Sequence, residues 1–154
     1  MITFAGAAAL SALLAVAALC DLKSRTIPNL LPALTALAGL VLATPGSSHE
    51  WLDRALSASL ICGGALAIYL CGGVGGGDLK LLGAVALWIP TGGILAFLTA
   101  LSVWTVLQSG FSLAVMGNRS EWRKHQLPYA ISIAAAGVTW VLWALSRAPG
   151  ALST

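Results

Sequence analysis

Gly72-Gly73-Val74-Gly75-Gly76-Gly77-Asp78-Leu79-Lys80-Leu81-Leu82-Gly83-Ala84-Val85-Ala86-Leu87-Trp88-Ile89-Pro90 is the stretch on which the topology turns. A run of glycines ends on an acid, and the acid opens an apolar segment, Leu79–Pro90. That segment is short for a membrane crossing, since about 12 helical residues rise only about 18 Å against a hydrocarbon core of about 30 Å. Whether it crosses or turns back decides which side of a membrane every later loop occupies.

Composition makes the membrane the right frame. The 154 residues are 58% hydrophobic and 8% charged, where a soluble domain carries roughly 25% charge. Six apolar segments can be drawn, roughly Ile2–Cys20, Pro28–Thr44, Ala55–Cys71, Leu79–Pro90, Ile94–Val115 and Leu127–Leu145. With six crossings, Lys23, Arg25, Lys80, Arg119, Arg123 and Lys124 share one side and only Arg54 and Arg147 face the other. If the fourth segment turned back, the split would be four against four, so the excess of basic residues on cytoplasmic loops favours the crossing. The expected fold is all-α, a single integral-membrane domain over residues 1–154. It is a bundle of about six transmembrane helices with a short fourth helix and both termini outside the cytoplasm.

The net charge of +3 is scattered over short loops, which gives no footprint for nucleic acid and leaves membrane lipid as the surrounding partner. Cys20, Cys62 and Cys71 form no CxxC pair, and no His/Cys cluster has metal-ligand spacing, so no metal and no cofactor are expected. The cysteines read as small residues packed between helices. Ile2–Cys20 lacks the basic flank of a signal peptide and reads as a retained first helix. Pro45, Gly46, Ser47 and Ser48 suggest an external turn across Thr44–Arg54, with His49 in it. Trp51, Trp88 and Trp122 fall near segment ends, as interfacial anchors do. Gly63-Gly64 and Gly92-Gly93 would permit close helix approach.

Only five residues are Asp or Glu, and two of them, Asp21 and Asp78, sit where apolar runs meet polar connections on the same predicted side. Singly, each has an ordinary reading. Asp78 would cap a helix N-terminus, favoured by the macrodipole, and Asp21 would pair with Lys23 or Arg25. Lys80 would snorkel to the headgroups. Together the acids suggest more. Two carboxylates converging in a poorly solvated place share a proton, one serving as base toward water and the other as acid toward a leaving group. That is machinery for cutting a peptide bond without metal or nucleophilic side chain. The glycines before Asp78 would then flex to admit substrate backbone as an added strand, with simple looseness between helices as the plain alternative. A small transporter that uses intramembrane acids, or a non-catalytic assembly subunit, remains as the competing class.

Gly75-Gly76-Gly77-Asp78 fits the Gly-x-Gly-Asp motif of intramembrane aspartyl proteases, and GGVGGGDLKLLGA resembles the second catalytic motif of type IV prepilin peptidases. Asp21-Leu22 through Ile27-Pro28-Asn29 resembles their first motif, and Leu127-Pro128-Tyr129-Ala130-Ile131 resembles the start of their closing helix. The resemblance spans roughly residues 10–137 and is nearest to the small peptidases of tight-adherence (Flp) pilus systems. It implies an aspartic-type endopeptidase in the bacterial inner membrane that cuts a prepilin or pseudopilin leader after a glycine, at the cytoplasmic face. Asp21 and Asp78 are the matching catalytic residues, with Gly75, Gly76, Gly77 and Lys80 toward the substrate. Larger relatives also N-methylate their product and carry paired CxxC motifs; this chain has none, so peptidase activity alone is expected. The pilin substrate and the oligomeric state are left open.

Overall fold

The computed structural model describes residues 3–43, 47–71, 75–116 and 129–147. Among these there are six α-helices and no strand: α1 (Phe4–Ser24), α2 (Leu30–Leu42), α3 (Ser48–Leu70), α4 (Gly76–Ala86), α5 (Ile94–Met116) and α6 (Tyr129–Ser146), with a 3-10 turn at Thr91–Gly93. α1, α3, α5 together with the turn before it, and α6 are each long and apolar enough to cross a membrane, while α2 is a shorter apolar helix. Thr44–Gly46 of the expected Thr44–Arg54 turn, Trp122, Leu127, Pro128 and the basic residues Arg119, Arg123 and Lys124 lie outside the described residues, as do Gly72–Val74.

The helices form two layers of three. One holds α3, α4 and α2, the other α5, α6 and α1, and the layers meet where α1 packs on α2 and α4 on α6. Small residues set the closest approaches. An added Cβ on Gly137 of α6 would collide with Leu14 of α1, and one on Gly83 of α4 would come within 3.2 Å of the Cys62 sulfur on α3. Cys62 is thus an inter-helix packing residue. Gly93 lies under the Trp140 indole, whereas Gly63, Gly64 and Gly92 face open space and bring no helices together. Toward the third pair the layers part. Between α3 and α5 runs an apolar groove of about 260 Å³ that Leu82 of α4 and Tyr129 of α6 also line.

The short fourth segment does pass through the bundle. It leaves the end of α3 that carries Tyr69, whose ring lies beside Gly76. It arrives at the end that carries Asp53 and Arg54, where the Arg54 guanidinium donates to the Leu87 carbonyl at 3.3 Å. The Asp53 carboxylate accepts the Thr91 amide at 3.1 Å and the Thr91 hydroxyl. An 11-residue helix covers this path because Leu87–Pro90 and the 3-10 turn complete it.

Two expectations need correction. Trp88 is not an interfacial anchor: it is 1% exposed, its indole N–H donates to the Thr35 carbonyl at 3.0 Å, and its ring fills the notch left by Gly39. Nor is the external turn as long as the sequence suggested. α3 begins at Ser48, with the Ser47 hydroxyl accepting the Glu50 amide at 3.3 Å, so His49 lies in its first turn. Trp51 is 43% exposed and does face outward.

Candidate active site

α1 does not stop at Cys20. It continues to Ser24, which puts Asp21 in its last turn rather than after it, and Arg25 ends the helix at φ 52° with its amide bonded to the Asp21 carbonyl. This left-handed cap is where glycine is ordinarily found, so the chain accepts strain to turn sharply at Arg25. The turn sends Thr26–Asn29 back over the end of the bundle toward α2. The Asp21 side chain points inward, is 7% exposed, and accepts the Ala130 amide at 3.3 Å. Ala130 lies in the first turn of α6, where unpaired amides and the helix dipole favour a carboxylate.

α4 brings up the second acid. Gly75 is its N-cap, extended at φ −76°, and Gly76 and Gly77 are already helical. None of these three takes a backbone conformation that requires glycine. At Gly75 the absence of a side chain leaves room: a Cβ there would sit 3.1 Å from an Asp78 carboxylate oxygen, whereas one on Gly77 would make ordinary contact with Ile27 of the connector. Asp78 stands in the first turn and accepts the Gly75 amide, the return half of a capping box. Its other oxygen, Oδ1, is buried without a hydrogen-bond partner among the described residues. A carboxylate oxygen so placed is unusual, because burying it unmatched costs free energy.

Asp21 and Asp78 line one cavity of about 350 Å³, with Arg25, Thr26, Ile27, Asn29, Gly75, Gly76, Gly77 and Lys80. All six residues singled out from the sequence therefore surround the same space. Burial first, and the Asp21 charge second, push the Asp78 carboxyl up from its ordinary 3.8 to about 6, against the pull of the Gly75 amide. A carboxyl of that kind exchanges its proton near neutral pH, as a general acid or base must. Lys80, two residues on, points away from Asp78 around the helix. It donates instead to the Asn29 amide oxygen at 2.9 Å. Sequence reasoning had passed over Asn29 and Ala130. Both stand in quoted motifs, but neither long-range partnership leaves a trace in local spacing.

No group of three or more His, Cys, Asp or Glu suited to a metal occurs among the described residues. The basic residues sort by end: Lys23, Arg25 and Lys80 near the two acids, Arg54 and Arg147 at the far end of α3 and α6. Compared with known proteins, the sequence model of the type IV leader peptidase family matches residues 8–110, a stretch that contains both acids. No curated protein and no solved structure matches the chain.

Proposed function

The chain belongs to the type IV leader peptidase family, and from that premise we propose that it is an aspartic endopeptidase. In this reading Asp21 and Asp78 hydrolyse the bond after the leader glycine of Flp-type prepilins or pseudopilins at the cytoplasmic face of the inner membrane. One aspartate takes a proton from water as it adds to the scissile carbonyl. The other gives a proton to the departing amine nitrogen as the C–N bond breaks, leaving a new carboxyl end and a new amino end. Gly75–Gly77 leave room for the substrate backbone beside the acids. The observation that carries the reading is the cavity that Asp21 and Asp78 line together, with Asp78 Oδ1 buried beside it and without a hydrogen-bond partner among the described residues.

The orientation follows from charge. The acids' end of the bundle holds Lys23, Arg25 and Lys80, which supports its placement on the cytoplasmic side. We assign peptide hydrolysis alone, within one domain, because the sequence carries no CxxC pair. Asp21→Asn and Asp78→Asn keep side-chain size while removing the titratable proton. Each is expected to lower cleavage of a co-expressed prepilin at least a thousandfold while the protein still inserts, read as failure of the prepilin to shorten on a gel. Cleavage by either variant at near wild-type rate would rule the paired mechanism out.

A further inference from the structure

Asn29 breaks a local rule. It occupies the N-cap of α2, a position where asparagine is among the best residues because its side chain can bond the first amides of the helix. Here it makes no such bond, and its own backbone is already helical at φ −57°, ψ −20°. Its amide oxygen instead accepts from the Lys80 ammonium, 51 residues away, at 2.9 Å. The capping bond is forgone, and such local conflicts concentrate where function demands them.

The bond joins two pieces of chain that must be held together. Asp21 precedes the connector Arg25–Asn29, and Asp78 precedes Lys80 on α4. Two acids in a poorly solvated cavity repel as they ionise, so the fold needs a link between their supports. The Asp21 carboxylate is fastened to α6, not to α4. Ile27 lies against Gly77, a contact that resists compression but not separation. A directional bond from connector to α4 is present among the described residues, from Lys80 to Asn29.

We propose that Asn29 and Lys80 form a positioning tether that sets the separation of the two carboxylates. Lys80 thereby acts through Asn29 rather than on Asp78 or on the substrate. This rests on the reading of Asp21 and Asp78 as the reacting pair. The charge environment agrees: the charged groups that line the cavity with Asp78 are Asp21 and Arg25 from the end of α1 and Lys80 from α4, while the Tyr69 ring of α3 lies beside Gly76 outside that lining. Of these charges it is Asp21, not Lys80, that bears on Asp78.

The test is a double-mutant cycle with Asn29→Ala and Lys80→Met on the full-length purified protein, reading kcat and KM for leader cleavage across pH. Each single variant is expected to lower kcat about tenfold with KM nearly unchanged. The double variant should be no worse than either single one, and Lys80→Arg, which can still donate to Asn29, should recover most of the rate. As Asp21 recedes, the limb of the pH profile near 6 should move to lower pH. Additive losses, a loss confined to KM, no recovery with Lys80→Arg, or an unmoved pH limb would each overturn the tether. A second arm does not depend on catalysis: carbon NMR of the Asp78 carboxyl should show it titrating lower in Asn29→Ala than in wild type. If the two Asn variants of the acids still cleave, the catalytic reading falls. If they are inactive but the Asp78 titration is unchanged in Asn29→Ala, the tether falls alone.

Discussion

At the scale of single residues, Asp78 carries the sharpest consequence. Its carboxyl is raised from 3.8 to about 6, so it is protonated below that pH and charged above it. Because the folded value lies above the unfolded one, the native state holds this proton more tightly. The stabilisation is fully present below pH 3.8 and is lost as pH rises toward about 6. At pH 7 the wild-type protein therefore bears a half-buried charge that Asp78→Asn lacks. The variant is expected to melt higher than wild type at pH 7, with the gap closing below pH 4, in calorimetry of both proteins in the same detergent. Replacing Asp21 by Asn should also move the Asp78 titration to lower pH, because a neighbouring negative charge has been removed. Sequence could locate this acid, since few acids exist to choose from and the two motifs resembling the family's contain the pair. It could not show that a Cβ at 75 would crowd the acid, because that depends on where the Asp78 carboxylate comes to rest.

Among the elements, helix number and order were legible because apolar run length maps directly onto membrane spans. Helix ends were not, and for identifiable reasons. Ser47-Ser48-His49-Glu50 is an N-cap signal with an acid three residues on, but its polarity resembled a loop. Asp21-Leu22-Lys23-Ser24 is polar for the same helix that is apolar before it, so α1 outlasts its hydrophobic run. Trp88 at a segment end has the composition of an anchor. Only the fold reveals that α2 offers it a glycine notch and a carbonyl. Packing between elements depends on similar notches. Gly137→Ala would drive a methyl group into Leu14 and is expected to destabilise the α1–α6 contact by about 1–3 kcal/mol, measured as a lower melting temperature with the pH profile of cleavage unchanged.

On the scale of the whole molecule, the two layers meet where α1 packs on α2 and α4 on α6, and part between α3 and α5. The common side of the two acids could be read from loop charges, since Lys23, Arg25 and Lys80 lie beside them. The joining of distant parts could not, because no local pattern encodes a bond across 109 residues. Yet the hydrogen bond from Ala130 to Asp21 has exactly that span, and it gives the protein a timetable. Both proposed reacting groups leave the ribosome well before α6 does, so a nascent chain carries the two carboxylates without the amide that holds Asp21 inward. Maturation of the site would be an event of late biosynthesis, governed by insertion of the last helix. A fragment ending at residue 122 is expected to reach the membrane and cleave nothing, and co-expression of residues 123–154 as a separate chain should restore prepilin shortening on the same gel. Newly made protein would in this way stay silent toward its substrate until its own synthesis is finished.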